Sequence, residues 1–380
     1  MVVDDEPDLE ILITQKYRKK IRNNEVKFIF ANNGIDALKK LENNGDIDIL
    51  LTDINMPEMD GLTLLAELNA TYPLLKSVII SAYGDMPNIR LAFNRGAFDF
   101  LTKPIDFEDL EITIDKTLNE ARIVRQAIKD RDRLVAIQNE LDVAREIQKA
   151  MVPQKFPPFP DRNEFDIIAR MKPAKKVGGD FYDFFFIDDI HMGFAIGDVS
   201  GKGVPAALFM AVCRTLLKAT ALENLPPDVC LTRVNKLLCA EKTKAMFVTI
   251  FYGILNTRSG EIQYSNGGHN PPFVITNDGK IRQIALTDGF VVGAISASVY
   301  KSNSLKLNPG DRLFMHTDGV TEAMNSGQEM YMEDRLGKCL QRLKGSSLND
   351  MLQGVLDDIR EFTADTPQLD DITMMALKYL

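Results

Sequence analysis

"VGGDFYDFF", Val177–Phe185, lies near the middle of a 380-residue chain and admits two readings. Two glycines before an acid and an aromatic could open a nucleotide-binding signature, which requires a second acid directly after the first. The same letters could set Asp180 on a tight turn as the first carboxylate of a metal site, with Gly178 and Gly179 making room for close approach. Position 181 is Phe, so the second acid is missing. The flanking segments then have to supply the partners that a metal site needs.

Those segments read as long strands: "FDIIARMKP" (165–173), "HMGFAIGDVS" (191–200), "FVTIFYGILN" (247–256), "EIQYSNGG" (261–268), "PPFVITNDGKIRQI" (271–284), "DRLFMHTDG" (311–319) and "ITMMALKYL" (372–380). Helical spacing falls between them at about 203–222, 227–241, 331–344 and 347–363. Strands clustered around a few helices predict an α+β layered domain. Aspartates recur beside these strands in Gly-rich or polar turns: Asp180, Asp198 in "AIGDVSGKG", Asp318 in "MHTDGVTEA", and Asp370 and Asp371 in "LDDIT". Carboxylates far apart in sequence, each at a strand end, are what two octahedral Mg2+ or Mn2+ ions require. Any one Gly-Asp or Asp-Gly pair is equally well an ordinary turn; four in one such domain favour the site. No Cys-x5-Arg loop offers a covalent phosphocysteine route. "GKGVPAALFMA" lacks P-loop spacing and reads as an apolar helix packed beside the site.

The first 105 residues alternate short apolar runs, "VKFIF" (26–30), "IDILL" (47–51), "SVII" (77–80) and "AFDFL" (97–101), with amphipathic stretches at 33–43, 60–70 and 85–95. This predicts a doubly wound parallel sheet with its site at the carboxyl ends of the strands. Asp4, Asp5, Asp53, Ser81 and Lys103 all fall at such ends. Three carboxylates at one edge need a hard cation such as Mg2+, and a carboxylate beside Mg2+ and a lysine is equipped to accept a phosphoryl group. Capping by Asp4 and Asp5 is the plain alternative for those two alone. Only Met1–Val3 precede the acid pair, so the first strand is expected to be short.

From about 106 to 151 the chain reads as one charged helix without Pro or Gly, ended by the prolines of "VPQKFPPFPD". Leu134, Ile137, Leu141 and Ala144 follow 3,4,3 spacing, continued by Gln148 and Met151. That is a short coiled coil, or an amphipathic helix packed on its own domains. The domain boundaries predicted are 1–120, a helical linker 121–151, and 152–380.

A net charge of −9 disfavours nucleic acid and anionic membrane as partners. Cys213, Cys230, Cys239 and Cys339 are scattered, which reads as buried thiols in a reducing cytosol. The N-terminus shows no basic-and-apolar signal region, and no segment approaches the roughly 18 apolar residues of a membrane span. A cytoplasmic location is expected.

Two resemblances follow from these motifs. "VVDDEP", "LLTDINMPEMDG", "VIISA" and "DFLTKP" resemble, in order, the flavodoxin-like receiver domain of response regulators. That resemblance implies Asp53 as phospho-acceptor, Asp4 and Asp5 with Asp53 around Mg2+, Ser81 and Lys103 as phosphoryl contacts, Phe100 at the aromatic switch position, and a cognate histidine kinase as partner. "AREIQKAMVP", "PAKKVGGDFYDFF", "GDVSGKGVPAALFMA", "NGGHNPP" and "TDGVTEA" resemble the SpoIIE/RsbU-like branch of PPM-type serine/threonine phosphatases. This one implies two Mn2+ or Mg2+ ions held by Asp180, Asp198, the carbonyl of Val199, Asp318 and Asp370. The activated water is then set by Asp198 and Asp318, with no protein nucleophile. Asp370 is preferred to Asp371 because the first acid of the pair matches the family ligand. His269 sits near that site as a turn residue or a proton-transfer group, and His316 has no assigned role. The substrates implied are phosphoserine or phosphothreonine proteins of the anti-sigma-factor antagonist type, in a partner-switching pathway, with a homodimer expected. A non-catalytic partner-binding scaffold is the alternative; retention of all four ligand aspartates argues against it. A cyclic-dinucleotide synthase is disfavoured by Phe181, and a DNA-binding output by the acidic charge and the lack of a terminal helix-turn-helix pattern.

Overall fold

The computed structural model describes every residue except 83, 241–245, 286 and 365. The chain divides into two units, Met1–Ile137 and Gln138–Leu380.

In the first unit β1 (Val2–Val3), α1 (Pro7–Lys16), α2 (Arg18–Arg22), β2 (Phe30–Ala31), α3 (Gly34–Asn43), β3 (Ile49–Asp53), α4 (Gly61–Thr71), β4 (Lys76–Ala82), α5 (Met86–Asn94) and β5 (Asp99–Lys103) succeed one another before α6 (Phe107–Met151). The strands form a parallel sheet in the order β2-β1-β3-β4-β5, the flavodoxin-like arrangement. Successive side chains of a strand point to opposite faces. Ile49, Leu51, Val78 and Ile80 therefore pack with Leu9, Ile13, Leu110 and Ile114, while Leu50 packs with Ala37, Leu41 and Leu64. Both faces are covered, which is why these strands read as unbroken apolar runs. Asn33 and Asp60 cap α3 and α4 by accepting from the Asp36 and Thr63 amides.

The second strand is shorter than the 26–30 run suggests. β1 offers two residues, which pair with Phe30 and Ala31, and Val26–Phe28 have no ladder to join. α6 agrees with the predicted helix. Its early residues Leu110, Ile114 and Ala121 are buried, and Leu134 and Ile137 are exposed.

In the second unit β6 (Phe165–Lys172), β7 (Phe181–Phe186), β8 (His191–Val199), α7 (Val204–Ala221), α8 (Pro227–Ala240), β9 (Val248–Asn256), β10 (Glu261–Gly267), β11 (Phe273–Ile275), β12 (Ile281–Gln283), β13 (Asn303–Lys306), β14 (Arg312–His316), α9 (Asp318–Thr321), α10 (Met332–Leu343), α11 (Leu348–Thr363) and β15 (Ile372–Tyr379) follow. They build two antiparallel five-stranded sheets, β13-β10-β9-β8-β7 and β12-β11-β14-β15-β6. β15 shows how the layers are stacked. Met375 and Leu377 point into the core shared with Phe194, Ile196 and Phe251, whereas Met374 and Ala376 point to Leu340, Met351 and Val355 of α10 and α11. The α+β layered expectation is met by this arrangement.

Three elements were not anticipated: β7 inside "FYDFFF", β13, and the single turn α9 at "DGVT". The last residue of the predicted 227–241 helix, Glu241, lies outside the described residues. One expectation is corrected. α7 is, by length and composition alone, apolar enough to cross a membrane. Ala206, Phe209, Met210, Cys213, Leu217, Thr220 and Ala221 of that helix are buried, while Val204, Leu208 and Val212 are exposed.

Candidate functional site

Parallel pairing brings the receiver residues to one edge. Asp53 ends β3 opposite Ile80, Ser81 follows Ile80, and Lys103 ends β5 opposite Ala82. Asp4, Asp5 and Asp53 each place a carboxylate oxygen within 4.8 Å of the others. Lys103 Nζ lies 2.7 Å from Asp53 Oδ2, 3.1 Å from Asp4 Oδ2 and 3.5 Å from Glu6 Oε1. Burial alone would depress the lysine; its hydrogen bonds to Asp53 and Asp4 and their charges raise it on balance. Burial holds the Asp4 carboxyl above the ordinary range, against its bonds to the Glu6 amide and Lys103. Asp4 is buried; its Oδ2 is held by the Lys103 ammonium and its Oδ1 accepts from the Glu6 amide at 2.8 Å. Oxygen donors at this spacing fit Mg2+. The Ser81 hydroxyl does not meet Asp53 in this structure and donates to Asp85 at 3.3 Å. Glu6, on the lysine, was not anticipated.

The second unit gathers its aspartates from strand ends of both sheets. Asp180 immediately precedes β7, Asp198 lies at the end of β8, Asp318 opens α9 after β14, and Asp370 and Asp371 precede β15. Asp180 is buried and accepts from Thr317 Oγ1 at 2.8 Å. Burial first, then the charges of Asp198 and Asp371, push its carboxyl well above the usual range. Asp198 is pushed up to about 7 by burial and by Asp318, with Asp370 and Asp371 adding to it. Asp318 rises to about 6 through burial, Glu322 and Asp370. Acids crowded into one desolvated place, raised by burial and by neighbouring carboxylates, mark a functional site.

The paired acids diverge. Asp371 accepts from the amides of Ala174 and Gly179 at 2.7 and 2.8 Å, so it holds backbone. Asp370 faces outward to Lys202 Nζ at 2.7 Å. The two glycines are required by proximity. A Cβ on Gly178 would lie 2.0 Å from Asp371 Oδ2, and one on Gly179 would lie 2.8 Å from the carbonyl oxygen of Val199. That carbonyl is thus kept clear of side chains, as an oxygen ligand must be. The all-oxygen donor set fits Mn2+ or Mg2+.

The His269 backbone amide donates to Asn266 Oδ1 at 2.6 Å, and its ring Nδ1 meets Thr249 Oγ1 at 2.9 Å. Burial lowers its ring to about 3, so it is neutral at ordinary pH and serves the turn. His316 is buried against Phe273 and Phe314, with Nδ1 3.0 Å from the Thr317 oxygen. This packing gives the role that its sequence position did not suggest.

A family model described as Stage II sporulation protein E (SpoIIE) matches residues 188–380, just over half the chain, and one described as Response regulator receiver domain matches residues 1–115. The chain belongs to the SpoIIE family. Its SpoIIE unit is a PPM-type serine/threonine phosphatase domain joined to an N-terminal receiver domain. Among relatives, Protein IcfG of Synechocystis is 33% identical over 265 residues, covering 63% of this chain and 41% of that protein. Phosphoserine phosphatase RsbU of Bacillus subtilis is 28% identical over 242 residues, covering 64% of this chain and 70% of that protein. The chain thus spans about two fifths of the length of IcfG. The SiaA-PP2C domain of Pseudomonas aeruginosa superposes with a TM-score of 0.58 at 19% identity, covering 65% of this chain and 99% of that one, which shows a shared fold.

Sequence reasoning passed over Thr317 and Thr373. Thr317 Oγ1 donates to Asp180 and accepts from the Thr373 amide at 3.1 Å. The signal was present: a hydroxyl residue directly before Asp318, just after a strand paired with the one that follows Asp371.

Proposed function

We propose that this protein is a response regulator whose output is metal-dependent removal of phosphate from serine or threonine of another protein. The observation that carries the reading is the convergence of Asp180, Asp198, Asp318 and Asp370 from separate strand ends, with the carboxyl groups of Asp180, Asp198 and Asp318 raised by burial and by neighbouring acids. Asp180, Asp198, Asp318, Asp370 and the Val199 carbonyl would hold two Mn2+ or Mg2+ ions, and Asp4, Asp5 and Asp53 would hold Mg2+ in the receiver. Bound divalent ions lower the pKa of a ligated water and neutralise charge on a phosphoryl group. The chain's own residues do the placing. Thr317 orients Asp180, Asp371 fixes the Gly179 amide, and Lys202 pairs with Asp370 at the open edge of the site. Asp198 and Asp318, half-buried, would be the residues that set a reacting water, with no side-chain nucleophile required.

In the receiver, Asp53 accepts a phosphoryl group from a cognate histidine kinase, and Lys103, already 2.7 Å from it, contacts that group. Ser81 turns from Asp85 to become the second contact. The substrate is a phosphoserine or phosphothreonine protein of the anti-sigma-factor antagonist type, in a partner-switching pathway; the serine part is supported by the phosphoserine phosphatase activity named for RsbU. The protein works as a cytoplasmic homodimer.

The test is Mn2+-dependent phosphate release from a phosphoserine protein by wild type and Asp198→Ala, with and without beryllofluoride on the receiver. Wild type should turn over and the variant should not. No metal-dependent release from any phosphoserine or phosphothreonine substrate would sink the catalytic reading. Equal rates with and without beryllofluoride would sink the regulatory one.

A further inference from the structure

The last turns of α6 carry a buried glutamine on the stripe whose other members are apolar. Leu134, Ile137, Leu141 and Ala144 lead by 3,4,3 spacing to Gln148, which is 5% exposed. Both ends of its amide meet one residue. Nε2 donates to the Gly178 carbonyl oxygen at 2.7 Å, and Oε1 accepts from the Gly178 amide at 3.1 Å. Reversing the amide would set oxygen against oxygen and nitrogen against N–H, so the orientation is dictated by the partners.

Gly178 is enclosed on its other side. The Asp371 carboxylate lies where its Cβ would be and accepts from the next amide, Gly179 N. Gly179 abuts the Val199 carbonyl, and Asp180 follows directly. The strip Gly178–Asp180 is therefore clamped between Gln148 and Asp371, with two proposed metal ligands, Asp180 and Val199, at its edge. A buried peptide group that loses both partners must shift to find others or bear the cost of desolvation.

We propose that Gln148 is a positioning residue of the phosphatase site: α6 sets, through this side chain, the backbone of Gly178–Asp180 and so the place of the Asp180 carboxylate relative to Asp198. This rests on the reading of Asp180 as a metal ligand and adds to it a residue outside the catalytic sheets. It also explains a polar side chain at an otherwise apolar stripe position.

The experiment uses the full chain with Gln148→Met, which keeps length and apolar volume without hydrogen bonds, and Gln148→Glu, which keeps the acceptor for Gly178 N but opposes its carbonyl. Amide hydrogen exchange of the 177–181 segment, calorimetric titration with Mn2+ alone, and kcat and KM on a phosphoserine protein are measured together. Gln148→Met should speed exchange at 177–181 while β8 and β9 stay protected, weaken Mn2+ binding about tenfold, and lower kcat with KM little changed. Gln148→Glu should fall between it and wild type. Wild-type exchange and Mn2+ affinity in Gln148→Met would overturn the proposal; so would faster exchange spread over the whole second unit in both variants, which marks a merely structural role. Failure of wild type to release phosphate would remove the catalytic reading alone, because exchange and Mn2+ titration still decide the role of Gln148.

Discussion

Thr317 shows how much a single hydroxyl governs. It donates to Asp180 and accepts from the Thr373 amide, so one side chain ties the residue before β7 of one sheet to β15 of the other. Thr317→Val keeps the shape and removes both bonds. Loss of such an outer partner costs about 10–100-fold in metal affinity or activity; that drop is expected in Mn2+ titrations, with thermal stability falling far less. At the other site Lys103 pairs with both Asp53 and Asp4. Asp53→Asn should abolish incorporation of labelled phosphate from a small phosphodonor, and Lys103→Ala should sharply slow it while leaving the chain folded. Undiminished labelling of Asp53→Asn would place the acceptor elsewhere.

Elements decide where these residues can act. β7 begins one residue after Asp180, and its aromatic side chains are buried in the core. The acid is thus held at the mouth of a rigid strand, whereas "VGGDFYDFF" read as sequence suggested only a turn. In α6, Leu134 and Ile137 stay exposed, and their 3,4,3 stripe is what a second copy of the helix would cover. Leu134→Asp combined with Ile137→Asp should therefore convert a dimer to a monomer in sedimentation equilibrium, with each domain's spectrum unchanged. A wild-type chain that sediments as a monomer at micromolar concentration would remove the homodimer.

At the scale of the whole molecule, the crowded carboxylates link metal, pH and stability. Asp198 near about 7 and Asp318 near about 6 stand above the ordinary 3.8. Between those values the metal-free native state binds more protons than the unfolded chain. Their contribution to stability is then full at low pH and is lost as pH rises through the folded values. Divalent ions displace those protons, so affinity should weaken as pH falls. In a chelator, the melting temperature of the second unit should drop between pH 5 and 8; Mn2+ should remove most of that drop, and Asp198→Asn should flatten the chelator curve. A chelator curve that rises with pH as steeply as the Mn2+ curve would contradict the crowding.

Both fold classes, most of the elements and the strand-end acids were legible in the sequence, because periodicity and turn chemistry are local and leave their marks in adjacent letters. "LLTD" and "FLTK" could be placed at a sheet edge from the alternation of strands and helices alone. It could also rank Asp370 above Asp371, though only by likeness to a family. The tertiary structure decided what depends on residues distant along the chain. The length of β2 was settled by the two residues β1 can pair with it. The division of labour between Asp370 and Asp371 was settled by which of them meets Lys202 and which meets the Ala174 and Gly179 amides. Thr317 on Asp180, 137 positions apart, and Gln148 on Gly178, 30 apart, have no periodic trace. Side-chain hydrogen bonds of that kind are specified by how sheets and helices stack, and no local pattern of residues encodes them.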